Sequence, residues 1–307
     1  MKKAIFMLSF VVFCTFAEAQ NSEKELAQNT EKVAKKIVDT TEVEGWKSKG
    51  NASLLFNQSS FSNWVAGGEN NMSGNVGINY DFNYKKKDIT WDNKLQASYG
   101  LIQSKNARYE KKTDDRLEFN SIFGKKAFGE WYYSYFLNFR TQFTKGYKYD
   151  RDAATDVEFR IPYTNFFSPA YLTTGPGLFW KKSDNLKVNL APLTSKFTFV
   201  DAAFTLPDKT YFGVEQGKSM RYELGFYASG YYKTDIMTNV MIENTLNLYS
   251  NYLDKPEEVD LDYTMTLIMR VNKYLSTNLV FQAISDKNAS SRFQIREVFG
   301  LGINFGF

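Results

Sequence analysis

In residues 299–307, Phe299, Leu301, Ile303, Phe305 and Phe307 alternate without exception with Gly300, Gly302, Asn304 and Gly306. An extended strand throws successive side chains to opposite faces, so this segment has one wholly apolar face and one slim, polar face. A closed cylinder in a bilayer satisfies both faces at once, with hydrocarbon outside and water inside. The same period of two recurs upstream. Met72, Val76, Ile78, Tyr80, Phe82 and Tyr84 oppose Ser73, Asn75, Gly77, Asn79, Asp81 and Asn83, and Ile89, Trp91, Leu95, Ala97 and Tyr99 oppose Asp92, Lys94, Gln96 and Ser98.

The pattern predicts an all-β fold: an antiparallel transmembrane β-barrel of about twelve strands, an even number as such barrels require. Strands are expected at 46–56, 71–84, 89–99, 115–125, 131–143, 169–180, 186–199, 219–231, 236–248, 260–271, 275–283 and 293–307. Short turns at 85–88, 126–130, 181–185, 232–235 and 272–274 alternate with longer polar segments at 57–70, 101–114, 144–168, 201–218, 249–259 and 284–292. That alternation matches periplasmic turns at one end and surface loops at the other. Trp91, Trp131 and Trp180 sit beside short turns, with Trp46, Tyr84, Tyr133, Tyr231 and Tyr274 at the same level. They read as an interfacial aromatic belt. A mean hydropathy of −0.43 argues against a helical membrane bundle, whereas a barrel needs apolar side chains only at alternate positions.

The other end of the chain points to export. Lys2 and Lys3 precede an apolar run from Ala4 to Phe16, and Ala17-Glu18-Ala19 offers small residues for cleavage after Ala19. Residues 1–19 are therefore expected to be a signal peptide, residues 20–45 a periplasmic arm, partly helical or disordered, and residues 46–307 the barrel. Phe13 is bulky where a lipoprotein signal before Cys14 would take a small residue. The expected location is the outer membrane, with outer-membrane lipid and lipopolysaccharide as surroundings. The small net charge of +4 gives no basis for binding nucleic acid.

Two resemblances follow. Gly302, Phe305 and Phe307 resemble the C-terminal insertion signal of bacterial outer-membrane proteins, which implies recognition by the barrel-assembly machinery. Phe61-Ser62-Asn63-Trp64-Val65-Ala66-Gly67-Gly68-Glu69-Asn70 and Ala191-Pro192-Leu193-Thr194-Ser195-Lys196-Phe197-Thr198 resemble an uncharacterised outer-membrane barrel family of Bacteroidota, domain of unknown function 3078. The resemblance spans residues 45–307 and implies a barrel without assigning an activity.

The sequence holds no histidine, and its one cysteine lies in the expected signal peptide. Histidine-dependent hydrolysis and transferase chemistry are therefore excluded, as are nitrogen- and sulfur-rich metal sites. No cofactor motif is present, and a non-enzymatic role is expected: a narrow passive channel for small polar solutes or a structural envelope component. A surface receptor or adhesin acting through the long loops is the alternative, and an outer-membrane enzyme using a mechanism without histidine ranks behind it. Parity places Lys94, Arg116, Glu118, Arg140, Arg221, Glu223, Glu243, Asp262, Arg270 and Arg296 on the lumen face, and opposite charges on neighbouring strands are expected to pair. Asn63, Trp64, Gly67 and Gly68 in the first loop read as a constriction or a loop anchor.

Overall fold

In the computed structural model, residues 44–62, 69–205 and 211–307 are described. The expected signal peptide, most of the N-terminal arm, and Asn63, Trp64, Gly67 and Gly68 lie outside the described residues. Twelve strands form the wall: β1 (Gly45–Ser59), β2 (Asn71–Lys86), β3 (Ile89–Ser104), β4 (Lys111–Phe128), β5 (Trp131–Thr141), β8 (Ala170–Ser183), β9 (Leu186–Phe199), β10 (Met220–Met237), β11 (Val240–Asn251), β12 (Val259–Arg270), β13 (Leu275–Ser285) and β14 (Gln294–Gly306). A short hairpin, β6 (Gly146–Arg151) and β7 (Glu158–Thr164), stands apart in the third long loop. The sheet is a closed antiparallel barrel, sealed where β1 meets β14.

The closing seam explains the C-terminal alternation. Gly50 N donates to Phe307 O at 2.6 Å and Phe307 N to Gly50 O at 3.0 Å, extending the β1–β14 ladder to the last residue. Phe299, Leu301, Phe305 and Phe307 point outward and are exposed, while Gly300 and Gly302 face inward and are buried. The slim inner face has a packing reason: a Cβ at Gly302 would run into Leu55, which is itself buried. A Cβ at Gly50 would likewise meet the ring of Phe307, which stacks on Tyr80 at a centroid distance of 5.9 Å.

The outer surface is apolar around the ring. Leu54, Phe56, Val76, Ile78, Tyr135, Leu178, Leu193 and Leu301 are all exposed large hydrophobic side chains. A water-soluble monomer rarely exposes one contiguous patch of this kind, and here the pattern recurs on strand after strand. At the short-turn end, Trp46 packs against Trp91 at 5.6 Å between ring centroids, and Trp131 is registered opposite Trp180.

Among the differences from the sequence reading, three change the loops and turns most. The β3–β4 hairpin extends into the segment expected to be a loop, leaving only 105–110 outside strands. The β10–β11 turn falls at Thr238-Asn239 and not at 232–235, because β10 stays paired with β11 through Tyr232 to Met237, with a register shift between Asp235 and Met237. Tyr231 consequently faces the lumen, not the interface, with Lys94 Nζ 4.9 Å from its ring centroid. The third difference is the β6–β7 hairpin itself, ordered by pairing within what read only as a polar loop.

Candidate functional site: the barrel lumen

The inward side chains form three tiers. At the short-turn end Asp92 is 6% exposed and accepts from Lys181 Nζ at 2.7 Å and Lys187 Nζ at 2.8 Å. Lys94 on β3 pairs with Glu243 on β11, and Lys233 lies 3.6 Å from the same carboxylate. Five strands separate β3 from β11 in either direction around the ring, so the Lys94–Glu243 pair crosses the full bore. Arg270 is exposed at this rim and lines a turn-side vestibule of about 270 Å³ with Lys49, Asp81 and Lys273.

The middle tier is apolar. Phe136 on β5 is 2% exposed and stacks on Tyr227 of β10, with centroids 4.5 Å apart and planes 9° from parallel. Ala191, Tyr249 and Ile122 complete the cluster. Two buried polar atoms beside it, Asn189 Nδ2 and Tyr249 Oη, have no protein partner. They border pockets of about 110 and 70 Å³, each large enough for ordered water to satisfy them.

The upper tier is a charged network. Glu118 is 3% exposed and accepts from Arg116 Nε at 2.8 Å and from Asn120 and Asn138, both at 2.9 Å. Arg140, registered opposite Glu118, pairs with Asp262 on β12, which four strands separate from β5 on the shorter path. Gln282 donates to Asp262 at 3.0 Å, and Arg296 donates to Gln282 at 3.3 Å. Arg296 reaches Asp114 on β4 at 2.8 Å, close enough for an ion pair though not aligned as a hydrogen bond. Lys196 lies between Asp260 at 2.7 Å and Glu223 at 3.6 Å. Arg221 holds Glu223 at 3.1 Å and donates to Asn288 at 2.9 Å, tying the lumen to the last loop.

Every lumen residue named from parity therefore lies inside or at the rim of the barrel. Neighbouring strands are paired as expected by Lys49–Asp81, Lys196–Glu223 and Lys233–Glu243, whereas Lys94–Glu243 and Arg140–Asp262 join distant strands. A pleated wall brings adjacent side chains close, but long Lys and Arg stems reach farther. In a bore this narrow the carboxylates opposite are within range.

Several members escaped the sequence reading. Lys196 was missed because β9 changes parity: Asn189 and Ala191 are buried, then Thr194, Lys196 and Thr198, with exposed Pro192 and Leu193 between. The ladders to β8 and β10 shift register over the same stretch. Pro192, which has no amide hydrogen to give a ladder, was the available signal for a bulge. Lys181 and Lys233 were hidden by turns placed too early, and Asp114 by a loop drawn too long.

Above the lumen, the third and fourth loops share a small core of Val200, Tyr211 and Val214, packed by Tyr163, Phe204 and Phe212. Burial pushes the Tyr211 phenol well above its ordinary range, and its hydroxyl donates to Tyr163 O at 2.5 Å. Lys111 bonds Glu158 at 2.8 Å, and Arg108 N donates to the same carboxylate at 3.0 Å. These contacts, the Lys111 bond foremost, hold the Glu158 carboxyl below its ordinary value. A depressed folded value contributes stability above the unfolded pKa of about 4.3 and loses it as pH falls through the folded value. Relative to the intrinsic exchange rate at each pH, the amide hydrogens of the hairpin are expected to be markedly less protected at pH 3 than at pH 6, while barrel strands hold their protection. Equal protection of β7 at both values would contradict this role for Glu158.

Among the described residues no group of three acidic, histidine or cysteine side chains could hold a metal ion. Residues 56–147 match a family described as Protein of unknown function (DUF3078). Phe61–Asn70 falls within that match and Ala191–Thr198 outside it. No curated protein matches the chain. Among solved structures, the translocator domain of the autotransporter NalP from Neisseria meningitidis is similar at 10% identity, over 95% of this chain and 99% of that one, with a TM-score of 0.41. An outer membrane channel from Pseudomonas putida F1 is similar at 11% identity, over 88% and 98%, with a TM-score of 0.36. The β-domain of the Bordetella autotransporter BrkA is similar at 8% identity, over 86% and 100%, with a TM-score of 0.33. Likenesses this slight carry no statement about activity.

Proposed function

We propose that this chain is a non-enzymatic outer-membrane barrel whose bore is closed by its own side chains, serving the envelope as a structural component and not as an open pore. The observation that carries the reading is the Lys94–Glu243 pair between opposite walls, backed by the Phe136–Tyr227 stack above it. Twelve strands fall between eight-stranded barrels that side chains can fill and sixteen-stranded barrels that leave an aqueous channel. Here ion pairs and an aromatic stack occupy the difference.

The recurring exposed apolar side chains and the tryptophans at one end support a lipid surrounding. The short-turn end then faces the periplasm and the loops face outward. Outward-facing Phe305 and Phe307, with Gly302 beneath, are the surface the assembly machinery would read. The absence of histidine supports a role without acid–base chemistry.

Cell fractionation and liposome swelling test this together. The processed protein is expected in the outer-membrane fraction, and proteoliposomes in isotonic arabinose are expected to swell no faster than protein-free vesicles. Recovery in the soluble periplasm, or swelling at the rate of an open porin, would overturn it.

A further inference from the structure

One large cavity among the described residues plays no part in closing the bore. It lies at the loop end, has a volume of about 580 Å³, and is bordered by the ends of β4, β5, β13 and β14 and by the third and fourth loops. That volume falls within the ordinary range of small-molecule sites, about 300–1,000 Å³. We infer that this vestibule binds a short, uncharged oligosaccharide.

Three observations point to that class. The first is charge balance. Lys112, Arg116, Arg140 and Arg296 all line the cavity, and each is already matched to a carboxylate: Asp115, Glu118, Asp262 and Asp114 respectively. A phosphate or carboxylate ligand would bring further negative charge beside Asp114, Asp115, Glu118 and Asp262, which already balance these cations, and like charges at close range repel. A neutral ligand need not.

The second is the mixture of flat rings and planar polar groups. Tyr147, Tyr163 and Phe212 line the cavity from the third and fourth loops, and Gln282 and Gln294 line it from β13 and β14. The side-chain amide of Gln294 makes no hydrogen bond among the described residues, leaving a donor and an acceptor for a ligand. Sugar rings present an apolar C–H face that packs on an aromatic ring and an edge of hydroxyls that pair with amides and guanidinium groups.

The third is that these rings are held before any ligand arrives. Arg160 sits 4.2 Å over the Tyr147 ring and Lys148 sits 3.8 Å over the Tyr163 ring. Tyr163 is also packed into the loop core with Tyr211 and Phe212. Rings fixed in this way lose little further freedom on binding, and preorganisation is what allows a weakly interacting neutral ligand to be held. Arg140, paired with Asp262, lines the cavity beneath the loops, and the inference holds whether or not solutes cross the barrel.

The test uses the full barrel in an amine-oxide detergent, which carries no sugar headgroup. Maltotriose, tri-N-acetylchitotriose and inorganic phosphate serve as probes, and saturation-transfer NMR is the readout. At least one trisaccharide is expected to receive magnetisation, and Tyr147→Ala is expected to weaken its binding at least tenfold. Gln294→Ala should weaken it several-fold, and Glu257→Gln, remote from the cavity, should not change it. Tyr147 belongs to the loop hairpin, so a heat-shifted band on gel electrophoresis checks that each variant retains its barrel. Transfer to neither trisaccharide would overturn the proposal. So would transfer indifferent to Tyr147 and Gln294, or competition by phosphate.

Discussion

Asp92→Ala is expected to destabilise the barrel by about 3–5 kcal/mol, the range for removing one partner of a buried ion pair. Asp92 is buried between Lys181 and Lys187, whose side chains are only 13% and 18% exposed. Without the carboxylate, two ammonium groups face each other across a gap that strands β3, β8 and β9 cannot close, since their ladders fix the wall. The loss should appear as a lower midpoint in urea titration of micelle-embedded protein, followed by tryptophan fluorescence. Replacing all three residues together, with Asp92→Leu, Lys181→Met and Lys187→Met, should recover most of it, because apolar packing can substitute for a buried ionic cluster. A cost below about 1 kcal/mol for Asp92→Ala would mean that water reaches these lysines freely.

Phe136→Ala is expected to cost a similar amount, about 3–5 kcal/mol, through lost burial and the cavity left behind. No charge is stranded in this case. Phe136 fills the middle of the bore against Tyr227 and already borders a pocket of about 110 Å³. Rigid strands leave little room for collapse into the gap, so the upper part of the range applies. Phe136→Leu, which keeps much of the volume, should cost less than half as much. Equal effects of the two substitutions would show that the ring is not packed as described.

The wall was legible in the sequence and much of the interior was not, for a physical reason. Period two is a local property: Phe299 to Phe307 declare their faces without reference to any other strand. Which inward charge meets which depends on the curvature and diameter of the closed ring, and nothing near Lys94 in the chain points to Glu243. The same limit hid the aromatic plug, since inward Phe136 and outward Tyr135 differ only in parity. Where the parity itself slipped, as at Pro192 and Leu193, every inward residue beyond the bulge was lost, Lys196 among them. Turn placement failed at 232–235 because Tyr232, Lys233, Thr234 and Asp235 look like turn residues by composition, yet the β10–β11 ladder continues through them. The first-loop residues Asn63, Trp64, Gly67 and Gly68 lie outside the described structure.

The measurement closest to the central claim is a double-mutant cycle between Lys94 and Glu243, read by urea titration. Lys233, the other partner of Glu243, contributes equally to both arms and cancels. Opposite walls joined through the bore predict a coupling of about 0.5–3 kcal/mol between Lys94→Ala and Glu243→Ala, despite their separation in the sheet. Additivity within about 0.3 kcal/mol, as for residues that never meet, would contradict a bore closed from wall to wall.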